Sequence, residues 1–204
     1  MANHLHQGDL PASVKLGPVI AVDSETMGLE INRDRLCLVQ ISSGDGSAHI
    51  VKLDRETYAA PRLKALLGDP KVLKIMHFAR FDVAAFMRWL GVAATPVYCT
   101  KIASKLVRTY TDKHGLKDLT KELLGVEISK QQQSSDWGAD VLTDAQIDYA
   151  AADVLHLHAL KEKLDAMLAR EDRAHLAKAC FDFLPARAAL DIAGWAEIDI
   201  LAHA

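Results

Sequence analysis

The sequence has little cysteine, and none of it is arranged in close pairs. Cys37, Cys99 and Cys180 are the three cysteines, they lie far apart, and no Cys-x-x-Cys occurs. An odd number of distant cysteines argues against a disulfide framework and against a thiolate zinc site. We therefore expect all three to be small buried hydrophobic residues.

Long apolar runs and targeting signals are also missing. No stretch resembles a membrane span, and residues 1–18 contain neither a basic region leading into a long apolar run nor an Arg-rich amphipathic pattern. We therefore expect no signal or transit peptide, and a cytoplasmic location. Nine histidines occur without an HExxH motif. The histidines alone therefore predict no metal site.

A strong charge of either sign is lacking as well. The 204 residues carry 24 Lys and Arg against 27 Asp and Glu, a formal net charge of -3, and half of them are apolar. This composition is typical of one ordinary globular domain. It argues against tight nonspecific binding of long duplexes, but not against a small nucleic acid, which offers few phosphates to neutralise.

The apolar pattern predicts an α/β fold with a mixed five-stranded sheet. Three short β-branched runs joined by tight connections, at 19–24, 36–42 and 48–53, indicate antiparallel strands. After them "RLKALLGD" predicts a helix, "KVLKIMH" a fourth strand, "RFDVAAFMRWLG" a helix and "PVYCT" a fifth strand. Antiparallel strands followed by alternating helices and strands predict a mixed sheet with parallel later strands, flanked by helices.

The second half of the chain is predicted to be helical. We expect helices at 101–110 and 116–124, a long helix at about 144–170, and one or two more at about 173–192. The stretch "EISKQQQSSDWGADVLT" has the composition of a polar loop. No repeat and no Pro-, Gly- or Ser-rich linker indicates a second domain.

Two acidic residues end the first predicted strand, in "AVDSETMGL". Side chains at i and i+2 share a face of a strand, so Asp23 and Glu25 project together and could share a divalent cation such as Mg²⁺ or Mn²⁺. A solvated strand end is the plainer interpretation. The spacing alone is weak evidence, because Asp54-Arg55-Glu56 repeats it.

Two further carboxylates have arguments of their own. In "IMHFARFDVAAF", His77 closes the fourth strand and Asp82 lies in the first turn of the next helix, where it could simply favour the helix N-terminus. In "IDYAAADVLHLHAL", about 100° per residue places Asp153 within the apolar stripe of the long helix. A carboxylate facing the core is costly unless it is paired or binds a metal. Tyr149 lies one turn earlier on the same side, and a core tyrosine is an equally good interpretation.

Four carboxylates and a tyrosine so distributed form the residue set of a two-metal phosphoryl-transfer site. The motifs "DSE", "HFARFD" and "DYAAADV", in this order and spacing, resemble the DEDDy branch of 3′-5′ exonucleases, specifically the RNase D-like domain, over roughly residues 19–168. The resemblance implies a ribonuclease H-like fold, two Mg²⁺ or Mn²⁺ ions and stepwise release of nucleotides from a 3′ end. It also implies that Asp23, Glu25, Asp82 and Asp153 bind the metals and that Tyr149 positions or deprotonates the attacking water. We favour positioning, because a free tyrosine titrates near 10 and a metal can bring water near 7.

Two departures from RNase D favour a very short substrate. RNase D carries helical nucleic-acid-binding repeats after its nuclease domain, whereas here we expect a single exonuclease domain at 1–204, with a catalytic core at about 19–168 and a helical extension at about 172–204. The segment Thr26-Met27-Gly28-Leu29 is similar to oligoribonucleases, in which a leucine at this offset wedges between two bases. The whole chain resembles the short stand-alone NrnC-type enzymes. That resemblance implies cleavage of dinucleotides, including linear products of cyclic dinucleotides, and a homo-oligomer such as a ring-shaped octamer.

Candidate substrate contacts follow from the same motifs. Leu29 and Phe81 are the predicted stacking residues, with core packing as the alternative for each. His77, Gln133 and Trp137 are further candidates, the last two because their loop resembles the family's "SDW" segment. A basic stripe, which is either a phosphate clamp or a solvated face, is predicted from Lys101, Lys105 and Arg108 at i, i+4 and i+7, extended by Lys113, His114 and Lys117.

The C-terminal tail is predicted to contribute to a subunit interface, or alternatively to cover the sheet, through Phe181, Phe183, Leu184 and Trp195. Two rival functions stay open. One is a 3′-5′ exonuclease acting on longer RNA or single-stranded DNA, in tRNA maturation or repair. The other is a non-catalytic nucleic-acid-binding module, which is disfavoured because all five catalytic positions carry competent residue types.

Overall fold

Residues 2–129, 131–132 and 134–203 are described by the computed structural model, which contains one mixed sheet flanked by helices. Single π-helical turns continue three of the helices, at Phe86–Leu90, Thr120–Leu124 and Asp191–Trp195. The elements are β1 (Ala2–Gln7), β2 (Val19–Thr26), β3 (Leu36–Ser42), β4 (Ser47–Lys52), α1 (Pro61–Gly68), β5 (Leu73–Met76), α2 (Ala79–Ala85), β6 (Val97–Cys99), α3 (Thr100–Val107), α4 (Leu116–Leu119), α5 (Asp144–Leu155), α6 (Leu157–Arg170) and α7 (Ala174–Leu190).

The six strands lie in the order β1-β4-β3-β2-β5-β6. The pairs β2–β3 and β3–β4 are antiparallel, whereas β1–β4, β2–β5 and β5–β6 are parallel. Strands β4 and β2 therefore each pair antiparallel on one side and parallel on the other. The carboxyl ends of β2, β5 and β6 open at the same edge, the usual place for a ligand site in such sheets.

The core is centred on β3, in which all seven residues are buried. Helix α5 packs across β2, β3 and β4, and α7 packs on β6 and α2. Each fully buried leucine or isoleucine contributes about 1.5–3 kcal/mol. The stability of this core fixes β2 and α5, which carry four of the five predicted catalytic residues. No helix in the described part of the chain is long and apolar enough to cross a membrane.

The predicted mixed α/β fold is confirmed, but the predicted strand number is wrong. The five expected strands are β2 to β6, and β1 adds a sixth at the sheet edge. Strand β1 has the sequence "ANHLHQ", with Leu5 as its single large apolar residue. An edge strand buries little, so its sequence has no alternating apolar pattern. Its position instead depends on pairing with β4 and on a 2.7 Å hydrogen bond from Asn3 to Asp148.

The long helix predicted at 144–170 is in fact two helices, separated at His156, where ψ is −5°. Helix α5 packs on the sheet, whereas α6 packs against α3, so the two segments follow different partners. The apolar stripe predicted to run along one long helix through Asp153 is therefore interrupted. Within α5, the one-turn spacing of Tyr149 and Asp153 is unaffected.

Two side-chain predictions also need correction. Cys37 and Cys99 are buried free thiols as expected, but Cys180 is exposed, because it lies on the outer side of α7. In the tail, Phe181 packs against Tyr98 with ring centroids 4.8 Å apart, and Leu184 is buried beside it. These two residues cover the sheet, which was the alternative considered for the tail. Phe183 and Trp195 remain exposed.

Candidate active site

Three of the predicted metal ligands meet at the carboxyl end of β2. One carboxylate oxygen from each of Asp23, Glu25 and Asp153 lies within 4.8 Å of the other two. Asp23 and Glu25 share a face of β2, as their spacing requires, and α5 brings Asp153 onto that face. The similar pair Asp54 and Glu56 lies in an exposed turn after β4, where Asp54 accepts hydrogen bonds from the backbone of its own turn.

The fourth predicted ligand, Asp82, reaches the cluster from α2. It is buried, and Ser24 Oγ donates a 2.6 Å hydrogen bond to its Oδ1. Asp82 and Ser24 line the same cavity as Asp23, Glu25 and Asp153. The Asp82 oxygens lie outside the 4.8 Å group formed by the other three carboxylates. The prediction had not identified Ser24, because a serine between two acidic residues carries no signal in the sequence.

Burial raises the pKa of all four carboxyl groups. Burial is the largest cause for each group, and the neighbouring carboxylates add to it at Asp23 and Glu25. The pKa of Glu25 rises to about 9, those of Asp82 and Asp153 to about 7, and that of Asp23 well above its usual range. Among the described residues, no Lys or Arg forms an ion pair with any of them. Uncompensated hard oxygen donors so close together fit a divalent cation.

Tyr149 lies beside these carboxylates and is held in a protonated state. Burial, followed by the charges of Asp153, Glu25 and Asp23, raises its pKa. A phenol with a raised pKa keeps its proton and acts as a hydrogen-bond donor. The expected role of Tyr149 in orienting a water stays a prediction.

The ring of Trp137 packs against the ring of Tyr149. The two rings are 5.9 Å apart between centroids, and Trp137 is only 2% exposed, so it offers little surface to a base. Its loop is tied to the fold because Gln146 Nε2 donates to Asp136 O at 3.1 Å and Lys52 Nζ donates to two further loop carbonyls at 2.5 Å. Gln133, predicted from the same loop, lies outside the described residues.

The segment after β2 presents Leu29 at the mouth of the site. Gly28 packs against the Asp34 carboxylate so closely that a Cβ atom would lie 2.3 Å from its Oδ2. Asp34 is itself fixed by the backbone N–H of Glu30 and by Arg33. A side chain at position 28 would therefore displace the Asp34 carboxylate. Beyond Gly28, Leu29 is 82% exposed.

Two cavities meet at the carboxylates, and both are lined by Asp23, His77, Phe78, Tyr149 and Asp153. The leucine-side cavity, of about 460 Å³, is also lined by Glu25, Leu29, Phe81 and Trp137. The lysine-side cavity, of about 310 Å³, is also lined by Lys101, Lys117 and Ser129. His77 is oriented between the two, with its Nδ1 2.9 Å from Thr100 Oγ1. The structure therefore places the predicted contacts Leu29, His77 and Phe81 at this site.

The predicted basic stripe is only partly present. Lys101 and Lys117 line the lysine-side cavity, but Arg108 is fully buried and forms an ion pair with Glu122, so it cannot meet a substrate. Arg108 lies just beyond the last residue of α3, where the helical spacing no longer holds. His114 is held by Ser104 at 2.8 Å. Lys105 and Lys113 are exposed.

Residues 8–169 match the family model of the 3′-5′ exonuclease domain. The chain belongs to this 3′-5′ exonuclease family. Within the family, ribonuclease D of Granulibacter bethesdensis is 36% identical over 164 residues, which cover 80% of this chain and 41% of that protein. The chain spans about two fifths of the length of such curated relatives.

Two solved structures match the chain over its whole length. NrnC of Brucella melitensis with bound Mg²⁺ is 51% identical, with a TM-score of 0.95 and 100% of each chain covered. The same NrnC bound to pGG is 52% identical, with a TM-score of 0.96 and the same coverage. The resemblance to RNase D-like domains and to NrnC-type enzymes is thereby confirmed.

Proposed function

We propose that the chain is a metal-dependent 3′-5′ exoribonuclease that releases nucleoside 5′-monophosphates from very short RNA, chiefly dinucleotides, including the linear products of cyclic dinucleotides. The observation that carries this proposal is the group of Asp23, Glu25 and Asp153 oxygens within 4.8 Å of one another, in a chain of the 3′-5′ exonuclease family. NrnC of Brucella melitensis, with bound Mg²⁺ in one structure and the dinucleotide pGG in another, supports it.

In this proposal, Asp23, Glu25, Asp82 and Asp153 hold two divalent cations, Mg²⁺ or Mn²⁺. Such ions, when bound, make water a nucleophile at neutral pH and stabilise the leaving oxygen. Tyr149 keeps its proton and donates a hydrogen bond that orients the attacking water in line with the scissile bond. Ser24 holds Asp82 in place through its 2.6 Å hydrogen bond.

The two cavities support a substrate of two nucleotides. Their volumes of about 460 and 310 Å³ lie in the range of pockets that hold one small ligand each. A phosphodiester held at the carboxylates would have one nucleoside on either side. Leu29, exposed at the mouth, is positioned to separate the two bases, and Lys101 and Lys117 supply positive charge for a second phosphate.

The test uses 5′-labelled RNAs of two to about ten nucleotides with Mg²⁺, beside Asp23→Ala and Tyr149→Phe. We expect the dinucleotide to be the best substrate, Asp23→Ala to be inactive and Tyr149→Phe to retain a small residual rate. Equal or faster cleavage of a heptamer would favour the rival exonuclease on longer RNA. An inactive wild type would leave the non-catalytic binding module.

We also propose that the protein is a homo-oligomer, with the tail at a subunit interface. Phe183 and Trp195 remain 41% and 45% exposed, so their aromatic surface is available for a subunit contact. We expect an oligomer in light scattering at micromolar concentration, and a smaller species for Phe183→Glu. A monomeric wild type would contradict the proposal.

A further inference from the structure

Phe78 has a backbone conformation that its residue type disfavours. It precedes α2 with φ 64° and ψ 42°, in the left-handed region. Three non-glycine residues among those described have a positive φ, and Phe78 is one of them. Glycine or asparagine would adopt this conformation at less cost. Phe78 does not cap the helix with its side chain, so helix capping does not explain its presence.

The phenyl ring of Phe78 is also poorly buried. It is 45% exposed, and its charged neighbour is Lys101, whose Nζ lies 4.3 Å from the ring centroid. A core role would require burial. A strained backbone and an exposed aromatic ring at the same residue are features that occur at ligand sites rather than in structural positions.

The position of Phe78 is consistent with a ligand role. Its ring lines both cavities that meet at the carboxylates, directly after His77. It also lines a groove of about 490 Å³ towards the C-terminal tail. Any nucleotide that extends out of the carboxylate cluster past His77 therefore meets this ring.

Charge indicates which nucleotide that is. The charged residues among those described around the leucine-side cavity are all carboxylates, with no Lys or Arg. The lysine-side cavity, in contrast, is lined by Lys101 and Lys117. In a 5′-phosphorylated dinucleotide, the phosphate beyond the scissile one belongs to the 5′ nucleotide. The 5′ nucleotide therefore fits the lysine-side cavity, where Lys101 lies against the Phe78 ring, and the 3′ nucleoside fits the leucine-side cavity.

We propose that Phe78 is the platform on which the base of the 5′ nucleotide stacks, while Lys101 lies at the same ring to meet its phosphate. The proposal rests on the proposed function and names the residue that recognises the second base. Stacking on an aromatic ring tolerates any base, so Phe78 sets substrate position rather than base preference.

The test is a double-mutant cycle that combines the Phe78→Asn substitution with removal of one base from the substrate. Asparagine tolerates the left-handed backbone, so we expect Phe78→Asn to melt no lower than wild type. Against pGG with Mg²⁺, we expect kcat/KM to fall about tenfold, mainly through KM, as the loss of one base–aromatic stack predicts. Against a dinucleotide with an abasic 5′ ribose, wild type and Phe78→Asn should be equal. Against an abasic 3′ ribose, the tenfold difference should persist.

Phe78→Trp keeps an aromatic ring and should therefore retain pGG turnover. Leu176→Asn is the matched control, because Leu176 is 46% exposed on α7 and lines none of these cavities. A second measurement follows quenching of 2-aminopurine at the 5′ base on binding without metal, which Phe78→Asn should abolish. The platform is refuted if Phe78→Asn lowers kcat/KM by the same factor on the 5′-abasic substrate as on pGG. It is also refuted if the effect of Phe78→Asn disappears on the 3′-abasic substrate instead. If wild type cleaves no dinucleotide, the proposed function fails, which is a separate outcome.

Discussion

Gln40 lies directly opposite Asp23 in the antiparallel ladder between β3 and β2, and it is fully buried. Neither Oε1 nor Nε2 of its amide has a hydrogen-bond partner within the part of the chain that the structure describes. Opposite residues in a ladder project from the same face, so this amide lies beside the carboxylate cluster. A buried amide without a partner costs about 1–3 kcal/mol.

We expect Gln40→Leu to raise the free energy of unfolding of the metal-free protein by about 1 kcal/mol, because it removes this cost. We also expect a several-fold loss of activity, because Asp23 loses its polar neighbour. Urea unfolding in EDTA and turnover of pGG measure the two effects. Gln7→Leu, at an exposed position in β1, is the control and should change neither. A destabilised Gln40→Leu would mean that the amide is satisfied.

The acidic cluster predicts a stability that depends on pH and metal. The folded protein raises the pKa of Glu25 from 4.5 to about 9, so it holds a proton that the unfolded chain releases. Stability of the metal-free protein should therefore fall as pH rises from about 4.5 to 9. At pH 8 in EDTA, Glu25→Gln should raise the Tm by at least about 2 °C, the shift that about 1 kcal/mol produces in a chain of this size.

With Mg²⁺ added, wild type should have the higher Tm of the two proteins, because it gains stability by binding the ion and Glu25→Gln gains less. Glu56→Gln is the control, since Glu56 belongs to the other Asp-x-Glu and lies in an exposed turn. A Glu25→Gln protein that melts lower than wild type in EDTA would show that Glu25 is not held under repulsion.

Features with strong local patterns were predictable from the sequence, and features set by tertiary partners were not. The strands β2 to β6 follow β-branched runs, and Asp23 and Glu25 share a face because strand geometry requires it. The edge strand β1 lacks such a pattern. The break at His156 reflects the different partners of α5 and α6, and the burial of Arg108 reflects its pairing with Glu122.

The same distinction applies within the site. Asp82 and Asp153 were identified by motif and spacing, but the exposure of Phe78 and the near-complete burial of Trp137 depend on loop packing. Phe78 stands in the quoted segment "HFARFD" beside Phe81, and residue type alone could not rank the two. A backbone angle is needed to distinguish them, and no sequence pattern reports that angle for a single phenylalanine.

Lys101 should recognise the 5′-terminal phosphate. It lines the lysine-side cavity beside Phe78, and a charge-assisted contact contributes about 1.5–3 kcal/mol. We expect Lys101→Met to lower kcat/KM for pGG about tenfold or more, and to leave the dinucleotide without a 5′ phosphate nearly unaffected. Lys105→Met, an exposed lysine one turn along α3, is the control. Equal losses on both substrates would place Lys101 at the scissile phosphate instead.

Because Leu29 is exposed, replacing it should change activity without changing the stability of the fold. At 82% exposure its side chain adds little to the core, so Leu29→Ala should change the free energy of unfolding by less than about 0.5 kcal/mol. If it separates the two bases of a dinucleotide, Leu29→Ala should lower kcat/KM for pGG about tenfold and affect a heptamer less, since a longer RNA has further contacts. Val141→Ala, at 83% exposure and outside both cavities, is the control. An unchanged rate on pGG would remove the wedge, and the exposed leucine would then need another partner.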